Sequence, residues 1–91
     1  VLEAEKVAKT KKLLKLKVDT GIDQRTLVAG IAEFYKPEEI LGKQVTILVN
    51  LEPRKIRGIH SQGMVLMIEN PDGKLVTLNP SADVANGSTV G

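Results

Sequence analysis

The sequence predicts an all-β domain with little helix, a five-stranded barrel of the OB type. Three observations carry that expectation. Short apolar segments recur between turn residues, one proline-led helical turn falls between the third and fourth of them, and no internal repeat is visible in the 91 residues. Closing such strands into a barrel removes the exposed edges that a small sheet would otherwise carry.

The length allows one domain, with residues 1–78 expected as the barrel and 79–91 as a carboxyl-terminal strand extension. A chain of this size buries roughly 60–65% of its unfolded surface, so a core is expected but a thin one. Apolar residues make up 42%, with one Phe, one Tyr and no Trp. Aliphatic side chains must therefore fill the interior: Val18, Val28, Ile31, Val45, Ile47, Val49, Ile68 and Val76 are the expected supply. Base stacking on aromatics is correspondingly ruled out as the main binding device.

Cysteine is absent, which removes disulfides, thiolate metal sites and cysteine nucleophiles, and points to a reducing, cytoplasmic compartment. No apolar run reaches the ~20 residues that span a bilayer, and no signal peptide is visible, so no membrane partner is expected. The sequence opens on Val1 in mid-pattern, and a piece of a longer protein is expected.

Residues 1–6 are the hardest to type, because Leu2, Glu3, Ala4, Glu5 and Lys6 all favour helix. Leu14-Lys15-Leu16-Lys17-Val18 alternates with period two, however, the mark of a half-buried strand with two lysines on its wet face. The reading adopted is a strand over 1–6, a lysine-rich loop over 7–12 and a second strand over 13–18. A basic amphipathic helix over 1–17, lying on a membrane surface, competes with it, but its apolar residues keep no clean 3.6 spacing. Residues 26–31 form the third strand, paired with the second across 19–25. Residues 37–42 make a short helix: Pro37 suits its first turn, Glu38 and Glu39 complement its dipole, and Gly42 can take the left-handed stop. The fourth strand is 43–49, the fifth 64–69 and the sixth 74–78, with a tight turn at 70–73. Asn86-Gly87 is a type I′ hairpin signal if strands flank it.

Between the fourth and fifth strands lies the most informative stretch, residues 50–63. Loops of this length in a compact domain are uncommon and usually functional or disordered. Leu51, Ile56 and Ile59 argue for a loop pinned to the core, and Arg54, Lys55 and Arg57 gather three cations within four positions. A pinned cationic loop suits a polyanion. The net charge of +2 alone says little. Its distribution says more, because basic blocks (1–18, 43–60) alternate with acidic ones (19–42, 61–91), as expected if two blocks build one cationic face; a solvated mixed surface is the plain alternative.

No catalytic constellation is legible. His60 is the sole histidine, and Ser61 as its chain neighbour points away from it. Leu41-Gly42-Lys43-Gln44 lacks the upstream glycine and the Ser/Thr of a phosphate loop. Glu38 and Glu39 complement a helix dipole, and Asn86-Gly87-Ser88 matches a glycosylation pattern only incidentally.

The run Asn50-Leu51-Glu52-Pro53-Arg54-Lys55-Ile56-Arg57-Gly58-Ile59-His60-Ser61-Gln62-Gly63-Met64 resembles the signature of the tRNA-binding domain family. That family includes the carboxyl-terminal appendix of methionyl-tRNA synthetase, free-standing tRNA-binding proteins and eukaryotic synthetase cofactors. Matching pieces are Lys17-Val18-Asp19-Thr20-Gly21, Arg25-Thr26-Leu27-Val28-Ala29-Gly30-Ile31 and Tyr35-Lys36-Pro37-Glu38-Glu39-Ile40-Leu41-Gly42-Lys43. Residues 78–90 look like the dimer-forming extension of the bacterial synthetase appendix. Many members carry a His-Pro-Asn-Ala-Asp-like turn before the second strand. Here that place reads Val7-Ala8-Lys9-Thr10-Lys11-Lys12, as in some synthetase appendices.

The resemblance implies an OB-fold that binds tRNA with little sequence preference, pairs as a homodimer and raises the tRNA affinity of an attached synthetase core. It implies no catalysis, metal, cofactor or small-molecule substrate in these residues; ATP and methionine would be handled by other parts of the parent ligase. Arg54, Lys55 and Arg57 are the expected phosphate contacts. Ser61 and Met64 match the family's Ser-x-Gly-Met positions linked to tRNA, although a turn-capping serine and a core methionine are the structural alternatives. Asn50 either orients the loop or touches RNA. Lys15, Lys17, Arg25 and Lys43 are secondary candidates on one face. Two other readings remain: a purely structural pairing module, and a chaperone-like protein of the same fold that binds unfolded peptides.

Overall fold

A computed structural model describes residues 1–50 and 52–89 of the chain. Leu51, expected to help pin the cationic stretch, and the last two residues lie outside the described residues. The architecture is strand-rich with a single short helix, as the OB reading requires. Three strands form the main sheet in the order β1 (Glu3–Lys6), β2 (Leu14–Asp19) and β3 (Gln24–Ala29), all antiparallel. Alternation in β2 decides its faces: Leu14, Leu16 and Val18 are buried, and Lys15 and Lys17 turn outward. The amphipathic-helix alternative for residues 1–17 is thereby excluded, since Leu2 already donates its N–H to the Lys17 carbonyl at 2.7 Å.

Helix α1 (Pro37–Ile40) is one turn long, with proline at its start and Ile40 fully buried beneath it. The Glu39 carboxylate accepts the Lys36 N–H at 2.9 Å, which ties down a donor that the helix start would leave free. The chain then passes back to the first strand, where the Gly42 N–H bonds the Val1 carbonyl at 2.8 Å. The expected fourth strand over 43–49 shortens to β4 (Ile47–Leu48). Residues ahead of it spend their polar groups elsewhere: Thr46 Oγ1 donates to the Leu78 carbonyl at 3.1 Å, and Gln44 binds the tail.

Residues 54–61, expected as a pinned loop, form a hairpin. Strands β5 (Arg54–Ile56) and β6 (Ile59–Ser61) pair across a two-residue turn, Arg57-Gly58, with φ of 51° and 80°. Positive φ at both central positions is the type I′ pattern, whose twist matches that of the flanking strands. The expected fifth strand divides at Leu66 into β7 (Met64–Val65), paired with β4, and β8 (Met67–Glu69), paired with β9 (Leu75–Thr77). Leu66 marks the corner and still donates to the Thr46 carbonyl at 2.8 Å. The four ladders do not join into one unbroken ring of strand pairing among the described residues. Side chains and loop amides bridge the gaps.

Leucine shares the interior with the β-branched residues. Leu14, Leu16 and Leu27 are fully buried, with Ile31 and Ile40 beside them. Of the expected supply, Val18 and Ile31 are core and Val45 and Ile47 pack partly against it, whereas Val49, Ile68 and Val76 are exposed. Ile68 and Val76 are cross-strand partners, so a single face of the β8–β9 ribbon turns both of them out.

The tail makes no strand among the described residues 79–89. Its Asn86-Gly87 turn has positive φ only at Gly87, the type II pattern, and no strands flank it among the described residues, so the condition for a hairpin there is not met. The tail docks instead. The Gln44 side-chain amide accepts the Val84 N–H at 3.1 Å and donates to the Val84 carbonyl at 2.5 Å, and Asn86 Nδ2 donates to the Asp19 carboxylate at 3.2 Å. A Cβ on Gly87 would overlap the Thr20 carbonyl, so this contact is backbone against backbone.

Candidate nucleic-acid interface

The main sheet leaves the outer edge of β3 open, and the cationic hairpin is fastened along it. The Gln62 N–H donates to the Thr26 carbonyl at 2.8 Å, and Gln62 Oε1 accepts the Thr26 N–H at 3.0 Å. The next free donor, Val28 N–H, is taken by Ser61 Oγ at 3.0 Å, and the same hydroxyl donates to the Gly63 carbonyl at 3.2 Å. Ser61 is 4% exposed. The hydroxyl of so enclosed a side chain is spent on the backbone it holds, as the turn-capping alternative has it.

Alternation distributes the three cations. Lys55 lies opposite His60, and cross-strand partners share a face, so these two point away from the barrel. Arg54 lies opposite buried Ser61, on the barrel-facing side, but at the strand's open end where it is exposed. Arg57 occupies the turn, at the tip. All three are exposed, and none forms an ion pair among the described residues. The cluster is thus wrapped around a projecting hairpin instead of lying along one ridge.

The tip reaches back to the main sheet. A hollow of about 300 Å³ separates Arg57 and Ile59 from residues 5–8 and Lys15. Lys15 pairs there with Glu5 at 3.4 Å in an exposed ion pair, which stabilises little and is readily exchanged for another anion. Lys6, absent from the residues picked out by sequence, ends β1 at this hollow. The lysine-rich block was the signal; that the hairpin tip would fold over its margin was not.

The secondary candidates separate. Lys15 and Lys17 share the outer face of the main sheet, as expected, with Lys17 opposite Glu3 and Thr26. Arg25 does not join them, because it lies opposite buried Val18 and so belongs to the other face. Its guanidinium extends along the barrel rim, where Nη1 donates to the Val49 and Gln62 carbonyls at 2.8 and 3.2 Å and Nε faces the Asp23 carboxylate at 3.3 Å. The Thr20 hydroxyl also donates to that carboxylate and, with the Arg25 charge adding, holds the Asp23 carboxyl below its ordinary range. Lys43 is elsewhere, 5.9 Å above the Tyr35 ring. Asn50 is exposed at the entry to the hairpin segment. Met64 is not a core side chain: it is 49% exposed and shares a face with its partner Leu48.

No group of His, Cys, Asp or Glu that could hold a metal occurs among the described residues, and no helix is long and apolar enough to cross a membrane. What the arrangement can do is present exposed guanidinium and ammonium groups to an extended anion. A strand-rich barrel with a cationic hairpin set over its lysine-bearing sheet is a nucleic-acid-binding module of the OB class. The chain belongs to the family described as a putative tRNA binding domain, which matches residues 1–89.

Among curated relatives, the methionine–tRNA ligase of Flavobacterium johnsoniae is 63% identical over 90 residues, and that of Cytophaga hutchinsonii 59% over 91. These matches cover 99% and 100% of this chain but only 13% of either ligase. A solved structure titled as a MetRS related protein from Pyrococcus horikoshii superposes with a TM-score of 0.93 at 46% identity, covering 99% of this chain and 83% of that one. A chaperone CsaA from Bacillus anthracis superposes at 0.89 with 27% identity, covering the same shares.

Proposed function

We propose that this chain is the tRNA-binding, carboxyl-terminal module of a methionine–tRNA ligase, without catalysis of its own, and that it raises the ligase's affinity for tRNA by gripping the RNA backbone. The observation that carries this reading is the projecting hairpin, whose Arg54, Lys55 and Arg57 are exposed and free of carboxylate partners among the described residues. Phosphates set between the tip and Lys6 and Lys15 would meet cations from both sides, and Glu5 would yield Lys15 to them. Asn50 and Met64 lie exposed at the two ends of the hairpin segment, where they can touch sugar or base without selecting sequence. Ser61 serves by holding β6 to β3, and Lys17 and Lys43 add charge at a distance.

In this reading the module works in the cytoplasm. ATP and methionine are bound by parts of the ligase beyond these residues. A second copy of the chain is the other partner: the outward apolar pair Ile68 and Val76 and exposed Val84 of the tail supply surface for it. The chaperone relative suggests peptide binding as a rival, but the lining of the hollow by Lys6, Lys15 and Arg57 favours a polyanion. Gel-shift titration of the chain and of an Arg54→Ala/Arg57→Ala variant against several purified tRNAs, with sedimentation beside it, tests the proposal. The variant is expected to weaken every tRNA alike, by about tenfold or more, while the chain sediments as a dimer. A dimer blind to tRNA would leave only the structural pairing role. A variant that merely changes which tRNA is preferred would contradict backbone contact.

A further inference from the structure

One cation in the neighbourhood is spent on the protein itself. Val49 immediately precedes the segment that carries the hairpin and Gln62 immediately follows β6, and one guanidinium binds the carbonyls of both. Its third donor faces Asp23, which the Thr20 hydroxyl and the Arg25 charge keep in place at the β2–β3 turn. Thr26, the next residue of β3, takes the Gln62 backbone and side-chain amide. Val49 and Gln62, which bracket the segment that carries the hairpin, are therefore tied to one point on the barrel rim, while the hairpin itself carries the exposed cations.

We propose that Arg25 is a positioning residue for tRNA binding: with Asp23 as its anchor, it clamps both ends of the segment that carries the cationic hairpin and so sets where Arg57 stands relative to Lys6 and Lys15. The proposal rests on the tRNA reading above and assigns Arg25 a role different from phosphate contact. The fork matters as much as the charge. A guanidinium offers donors in fixed directions to two carbonyls and a carboxylate at once, whereas a lysine ammonium is a single point on a flexible stem. An unclamped hairpin would sample many tip positions, and a phosphate bridging tip and sheet would have to select one of them.

Two variants and two readouts test this. Arg25→Lys keeps the charge and loses the fork; Asp23→Ala keeps Arg25 and loses its anchor. In the free protein, amide hydrogen exchange at residues 56–62 is expected to speed up about tenfold in both variants, with the β2 amides unchanged as the check on the fold. Affinity for unfractionated tRNA is expected to fall about three- to tenfold in both. The direction for Asp23→Ala is diagnostic, because removing a carboxylate near a polyanion would by charge alone tighten binding. If exchange at the hairpin does not change, or if Arg25→Lys binds as the parent does and Asp23→Ala binds tighter, the clamp is overturned and Arg25 acts only by charge. If the hairpin loosens in both variants and affinity stays put, the clamp holds and the reading of the hairpin as the tRNA contact falls instead.

Discussion

At the scale of single residues, side chains do work that strand neighbours would do in a continuous sheet. The Ser61 hydroxyl stands in for a carbonyl opposite Val28, and the Gln62 amide does the same opposite Thr26. Replacing Ser61 by Ala leaves the Val28 N–H without its acceptor, and an unmet donor of that kind costs about 1–3 kcal/mol. Denaturant unfolding should show that loss, and tRNA affinity should fall with it, because the hairpin that Ser61 holds to β3 is loosened. An unchanged stability with weaker tRNA binding would return Ser61 to the RNA. None of this was readable from the local sequence. Arg25 and Ser61 find their partners 24, 37 and 33 positions away, and no pattern of neighbouring residues encodes such pairings.

Whole elements were legible wherever one physical signal acted alone. Alternation in Leu14-Lys15-Leu16-Lys17-Val18 gave β2 and its faces, Pro37 and Glu39 gave the helix start, and residues 70–73 make the expected turn, with Gly73 N–H on the Asn70 carbonyl at 2.8 Å. The β5–β6 hairpin was missed because its strands are short and carry charge on both faces, which blurs a period-two pattern. Its signal was there in Arg57-Gly58 between Ile56 and Ile59, a two-residue turn flanked by β-branched residues. The tail erred in the opposite direction. Asn86-Gly87 has hairpin composition, yet its neighbours Ala85 and Ser88 close a turn on themselves at 3.1 Å and the segment is spent on docking to Gln44 and Asp19. Gly87→Ala places a Cβ against the Thr20 carbonyl at a φ of 87°. The expected cost is about 1–3 kcal/mol of tail docking, seen as faster proteolysis beyond residue 79 with the barrel intact. Equal proteolysis rates would contradict that contact.

For the molecule as a whole, division of labour is the organising fact. An aliphatic interior and a three-stranded sheet give a fixed platform, and the hairpin tied to its edge carries charge outward where no carboxylate neutralises it among the described residues. The scarcity of aromatics shapes the mode of binding: Tyr35 is half-buried and its hydroxyl accepts the Thr77 N–H at 3.3 Å, so recognition must rest on charge and shape. Binding of that kind releases counterions, and salt dependence counts the contacts. If about four cations meet phosphates, the slope of log affinity against log salt is roughly −2.8 to −3.6, a loss of about 50- to 150-fold between 50 and 200 mM. The measurement that bears most directly on the central claim is this slope for bulk tRNA, taken on the chain and on its Arg54→Ala/Arg57→Ala variant. The account predicts a steep line for the first, flattened by about 1.4–1.8 in the second; affinity that ignores salt, or two parallel lines, would contradict it.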